Sequence, residues 1–160
     1  QTPDKLPKEP MLIPVTVGLL SENGEEIHTS QTLLLTQAKQ EFVFNHIASQ
    51  PVPSFLRGFS APVRLEYPYT ENELAVLMGS DTDSFARWEA AQMLYKHAIE
   101  QNYHALKNAL PLPEHTVLTH SYEAALNDKN IDPAFKALLL TLPTTAALLD
   151  DYEQVSPRML

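Results

Sequence analysis

Tyr67-Pro68-Tyr69-Thr70-Glu71-Asn72-Glu73-Leu74 is the stretch on which the fold turns. Pro68 has no N–H to give to a strand ladder, so it stops the extended run before it. Two residues later comes a helix-opening signature. The Thr70 hydroxyl can accept from the third helical N–H while the Glu73 carboxylate reaches back to the Thr70 N–H, a capping box. Upstream the chain alternates with period two; downstream the apolar residues recur at three and four. Eight of the thirteen prolines lie in residues 1–69. The sequence therefore reads as β then α, with one unit over residues 1–69 and another over 70–160.

Working back from the junction, Val63, Leu65 and Tyr67 alternate with Arg64 and Glu66 as a last strand. Pro51-Val52-Pro53 reads as an extended link. Glu41-Phe42-Val43-Phe44 and Leu33-Leu34-Leu35 read as short strands. Met11, Ile13, Val15, Val17 and Leu19 share one face of a strand over residues 11–20. Pro14 places that strand at a sheet edge or turns its nitrogen away from its neighbour. Asn23-Gly24 marks a tight turn, since both residues tolerate positive φ. About five short strands suggest part of a β-sandwich.

Working forward, Leu74, Leu77 and Met78 form a stripe on a first helix that Gly79 can end in the left-handed region. A second helix starts around residues 81–84. Phe85, Trp88, Ala91, Leu94, Tyr95, Ala98 and Ile99 lie along one of its faces, with Trp88 as a core anchor flanked by Arg87 and Glu89. A third runs from Pro113 to about Leu126, a fourth from Asp132-Pro133 to Leu142, and a fifth from Pro143-Thr144 to near Tyr152. Short connections between modest helices imply antiparallel pairs, as in a bundle or solenoid.

Composition excludes several functions. The 160 residues are 44% hydrophobic and 19% charged, as globular chains are, with a net charge of −9. Four Arg and seven Lys are scattered, whereas a nucleic-acid binder clusters its cations to displace phosphate counterions. An acidic surface is also repelled by anionic lipid, and no run of about 18 apolar residues spans a bilayer. With no cysteine there is no disulfide framework, thiolate zinc site or cysteine nucleophile; this fits a cytoplasmic setting. Gln1-Thr2-Pro3-Asp4-Lys5 does not read as a secretory leader, and the missing initiator Met suggests a piece of a longer polypeptide.

Candidates for chemistry are few. His97, Glu100 and His104 share a helix face, but an i to i+7 separation is about 10 Å of helical rise, too long to share one ion. They read as a solvated polar face. His115 and His120 diverge, and His28 and His46 read as surface residues. Gly58-Phe59-Ser60-Ala61-Pro62 lacks the closing glycine and following helix of a nucleophile elbow, and reads as a bend between two strands. Four glycines without Gly-x-Gly make no phosphate cradle. No catalytic, cofactor-binding or metal residue is assigned.

Residues 51–67, Pro-Val-Pro-Ser-Phe-Leu-Arg-Gly-Phe-Ser-Ala-Pro-Val-Arg-Leu-Glu-Tyr, together with Asp81-Thr82-Asp83-Ser84-Phe85-Ala86-Arg87-Trp88-Glu89-Ala90-Ala91-Gln92, resemble the bacterial aminopeptidase N family, the alanyl aminopeptidases of the zinc gluzincin class. Residues 10–20 and 132–137 resemble it too. The resemblance implies a C-terminal portion: the later part of an immunoglobulin-like sandwich followed by the start of a helical solenoid. It implies a parent metalloprotease that binds zinc and cleaves N-terminal amino acids from peptides, with this portion as spacer and access-limiting scaffold. The partners implied are the catalytic domain of the same polypeptide and, for the intact enzyme, peptide substrates. The family's zinc helix and substrate-amine motif have no match here, so no catalytic residue, and no cofactor of this chain itself, is carried over.

Two departures stand out. The first strands of the sandwich are not matched, which leaves a sheet edge unpaired, and the link between Ile27 and Leu33 is short for the family. Phe55, Leu56, Phe59, Phe85 and Trp88 are the expected contact between sandwich and helices. The rival reading is a stand-alone, non-enzymatic protein-interaction module, motivated by the missing catalytic residues.

Overall fold

The computed structural model describes residues 11–149, Leu149 by its backbone alone. A small antiparallel sheet precedes five helices, as the β-then-α reading expects. The strands are β1 (Ile13–Leu20), β2 (Glu26–Leu35) and β3 (Val52–Ser54), in the order β2-β1-β3. The Asn23-Gly24 turn links the first two, with Gly24 at φ 84°.

The sheet region differs from the expectation in five places. β1 is the central strand. Pro14 is accommodated because of where its nitrogen points: Thr16 N–H, two residues on, donates to Ser60 Oγ at 2.9 Å and so faces away from β2, and strand alternation gives Pro14 the same side. The residues expected as a link between Ile27 and Leu33 lie inside β2. Pro51-Val52-Pro53, expected as an extended link, supplies most of β3. Residues 41–44 and 63–67 alternate but form no strand, for no neighbouring strand offers them a ladder; Val43 and Val63 are exposed. Gly58–Pro62 follows a short 3-10 turn (Arg57–Phe59) and is not flanked by a second strand.

The helices are α1 (Glu71–Ser80), α2 (Ser84–Lys107), α3 (Thr116–Asn127), α4 (Pro133–Leu139) and α5 (Thr145–Leu149). The Thr70–Glu73 capping box forms, with Glu73 N–H donating to Thr70 Oγ1 at 3.2 Å and Thr70 N–H to Glu73 Oε2 at 2.8 Å. Asp83 and Asp132 cap α2 and α4 with their carboxylates. Gly79 stays helical, and α1 ends when Asp81 becomes extended. Pro113 lies in the loop before α3, and α4 stops at Leu139 rather than Leu142. The expected end of the fifth helix near Tyr152 lies outside the described residues.

One core crosses the junction. Leu20 and Val52 of the sheet pack with Tyr69, Leu74, Leu77 and Met78 of the junction and α1, and with Leu94 and Tyr95 of α2. Leu20 projects from the face of β1 opposite the predicted apolar set, so both faces of that strand end are covered. Two buried phenols pin connections to the core. Tyr69 donates to the Pro53 carbonyl at 2.6 Å and Tyr95 to the Leu139 carbonyl at 2.9 Å. Burial pushes both well above the ordinary phenol value, Tyr95 to about 12.

Candidate functional site

Two features stand out where sheet and helices meet. The first is built around Arg57. Leu56 enters the turn at φ 57°, a left-handed conformation uncommon for an aliphatic side chain, and Gly58 and Phe59 follow at 63° and 52°. That path sends the Arg57 side chain back under the sheet, where it is only 4% exposed. Its Nε donates to Ser54 Oγ at 3.0 Å, and its Nη1 to Glu26 Oε1 at 2.6 Å and Ser30 Oγ at 2.8 Å. Nη2 pairs with Asp81 Oδ1 at 3.1 Å. The guanidinium thus joins β2, β3 and the start of the α1–α2 connection.

Local backbone choices make this possible. Two register shifts along the β1–β2 pairing give β2 an extra residue between Gln31 and His28 and another between His28 and Glu26; such bulges re-aim side chains. Gly18 leaves room for the guanidinium, since a Cβ there would stand 2.1 Å from Arg57 Cζ. The connection Asp81-Thr82-Asp83 closes the network. Asp81 Oδ1 accepts from the Asp83 N–H at 2.8 Å, and Asp83 Oδ2 accepts from the Gly58 N–H at 2.9 Å. Asp83 Oδ1 meanwhile caps α2 through the Ala86 N–H at 2.8 Å. A buried charge is tolerated when it is paired and hydrogen-bonded; Arg57 is paired with Glu26 and Asp81 and hydrogen-bonded through Nε and Nη1, while Nη2 and Asp81 Oδ2 make no hydrogen bond.

The second feature is an apolar groove of about 840 Å³ along α2, walled by residues 63–67 on one side and by α4, α5 and their connection on the other. Phe55, Leu56, Phe59, Phe85 and Trp88, the expected sandwich–helix contact, all line it. Phe59 meets Phe85 edge-on at 5.2 Å, Phe85 leans on Trp88 at 6.2 Å, and Phe55 packs on Tyr67 at 5.3 Å. Trp88 is half-buried on the groove wall, not a core anchor. Its neighbour Arg87 turns the other way, donates from Nε to the Met78 carbonyl at 2.9 Å and lies over the Phe135 ring. Burial pulls the Arg87 guanidinium down and raises the Glu89 carboxyl in the groove.

His97 and Glu100 also line the groove, while the His104 ring meets the Asn108 amide at 3.1 Å. His115 pairs with Asn102 at 2.9 Å and His28 sits edge-on to Phe44. Among the described residues no three His, Asp or Glu side chains come together in a way that could hold a metal ion, so the donors here do not fit a resident zinc. Among the same residues no helix is long and apolar enough to cross a membrane.

Residues 1–68 match DUF3458, a domain of unknown function with an Ig-like fold, and residues 71–160 match its companion DUF3458_C, described as ARM repeats. The chain belongs to the DUF3458_C family. It is similar to aminopeptidase N of Escherichia coli K12, 38% identical over 98% of this chain, and to aminopeptidase N of Caulobacter vibrioides, 39% identical over 90%. Those alignments take up 19% and 16% of the relatives' lengths, so the chain spans less than a fifth of either. The crystal structure of Legionella pneumophila aminopeptidase A in complex with aspartic acid superposes with a TM-score of 0.81 at 32% identity, over 92% of this chain and 17% of that one. This member of the DUF3458_C family therefore corresponds to the C-terminal portion of bacterial aminopeptidase N.

The Arg57 network was missed by sequence reasoning. Its signals were present: a glycine inside a strand marks close approach of another group, and an arginine flanked by Leu56 and Gly58 in an apolar stretch requires buried partners.

Proposed function

We propose that this chain is the non-catalytic spacer and access-limiting scaffold of a zinc-dependent aminopeptidase that removes N-terminal amino acids from peptides. Residues 1–69 form its partial sandwich and 70–160 open its helical domain. Its partner is the catalytic domain of the same polypeptide, and peptides are substrates of the intact enzyme. The zinc is held outside this chain, and no step of the hydrolysis is assigned to its residues. A cytoplasmic setting fits the lack of cysteine, and the acidic charge leaves no role for nucleic acid or an anionic membrane.

The Arg57 network is the observation that carries this reading. A spacer must hold the units on either side of it in fixed relation. Here a guanidinium and a continuous core tie the sheet to the base of α2. Large displacements at that joint require breaking a buried, partnered charge.

The test compares the whole polypeptide with this chain, on aminoacyl p-nitroanilides and on peptides of increasing length. The whole polypeptide should release N-terminal residues and the 160-residue chain should not. Turnover by the chain alone, or none by the whole polypeptide, would overturn the proposal. Arg57→Met in the whole polypeptide should raise kcat/KM for long peptides relative to short amides; an unchanged ratio removes the access-limiting role.

A further inference from the structure

The groove along α2 has chemistry that the scaffold role alone does not use. Phe59, Val63, Tyr67, Leu138 and Leu142, exposed by 57, 39, 39, 59 and 59%, all line it. A contiguous apolar surface of this kind marks a contact to be covered. Three carboxylates line it, Glu66, Glu89 and Glu100, together with Arg64 and Lys96. Glu89 lies on α2 beside Trp88 and one turn before Met93, half-buried, and its carboxyl is raised by burial. Among the described residues no ion pair reaches it.

We propose that this groove seats an apolar segment of the same polypeptide, from outside these 160 residues, which brings a lysine or arginine to Glu89. The inference rests on the reading of the chain as part of a longer aminopeptidase. Covering the groove would remove the remaining water from Glu89, and a buried carboxylate is stable only with a hydrogen-bonded partner of opposite charge. A second copy of the chain is a poor occupant. Each copy carries a net charge of −9, so two copies repel one another. The rest of the polypeptide suits better. The relatives are more than five times as long as the matched portion, and a covalently attached segment reaches the groove at high effective concentration.

The experiment uses the full-length polypeptide with Phe59 replaced by its photoreactive analogue p-benzoylphenylalanine, a substitution at an exposed ring that leaves the core intact. Irradiation and peptide mapping should give a crosslink to a single segment of the same polypeptide beyond these residues, with a Lys or Arg within it. Glu89→Lys should lower the crosslink yield by roughly tenfold or more, since a like charge then meets the incoming cation. Glu89→Gln should lower it less. Reversing the mapped cation to Glu in the Glu89→Lys background should restore it. A crosslink to a second copy, to another protein, or to nothing beyond these 160 residues overturns the proposal, as does a yield indifferent to Glu89→Lys. Aminopeptidase assays on the same samples keep the two readings apart. Activity without the crosslink sinks the groove proposal alone, and the crosslink without activity sinks the enzymatic reading alone.

Discussion

Arg57 and Glu89 are two ionisable groups that the fold takes out of water to different degrees and with different company. Arg57 is almost wholly enclosed, with Glu26, Ser30, Ser54 and Asp81 around it. Glu89 is half enclosed in a groove that is mostly aromatic and aliphatic but also carries Arg64, Lys96 and Glu100, and no ion pair reaches it among the described residues. The first is a joint made within this chain, paired on both sides although Arg57 Nη2 and Asp81 Oδ2 make no hydrogen bond. The second is a surface whose polar group still lacks a partner. The difference separates what this portion does for itself from what it offers to a neighbour: a buried charge with counter-ions beside it stabilises a geometry, and one without any points to a contact made elsewhere.

The comparison can be broken most directly at Arg57. Arg57→Met leaves Asp81 and Glu26 without their cation, and chemical denaturation of this chain should show a loss of about 3–5 kcal/mol. A loss below about 1 kcal/mol would mean that the joint is ornamental. Gly18→Ala pushes a methyl into the space of the guanidinium. It should cost about 1–3 kcal/mol by overpacking, and the loss should shrink when it is combined with Arg57→Met, since the two share one cause. Trp88→Ala on the groove wall should cost this chain less than the about 3–5 kcal/mol expected for a fully buried Trp. A cost in that full range would place Trp88 in the core after all.

The smallest effect is at Glu89. Burial raises its folded carboxyl above the ordinary 4.5, so the folded state holds the proton more tightly than the unfolded state. Its contribution is favourable below the unfolded value and is lost as pH rises through the folded one. Glu89→Gln should therefore match the parent at about pH 4 and gain slightly on it above the folded value, by less than any change named above. A variant that loses stability at neutral pH would show that Glu89 already has a partner within the chain.

Reading the helices required little beyond local chemistry. The capping box at Thr70, the Asp83 and Asp132 caps, and the stripes of α1 and α2 are set by residues within a turn or two of one another. Helix ends were less legible. Gly79 carries the sequence signal for a left-handed stop but remains helical, because the chain turns at Asp81, whose carboxylate is drawn to Arg57. The strands fared worse. Residues 63–67 have the same alternation as β1, yet a strand exists only where another strand supplies its ladder, and sequence alternation does not show whether one does.

What the sequence determined by itself is the order of the parts: an extended, proline-rich half, a capped helical half, and the resemblance that places both in one family. These rest on short-range rules, on φ limits, capping hydrogen bonds and apolar spacing, which need no distant partner. What only the tertiary structure decided is which residues meet. Glu26, Ser30, Ser54, Arg57 and Asp81 are spread over 56 positions of chain and converge on one guanidinium because the bulges of β2, the gap at Gly18 and the left-handed turn at Leu56 act together. The helical face of Trp88 reads as core, but whether a face is covered depends on what packs against it, and in the structure Trp88 stands half-buried on a groove wall.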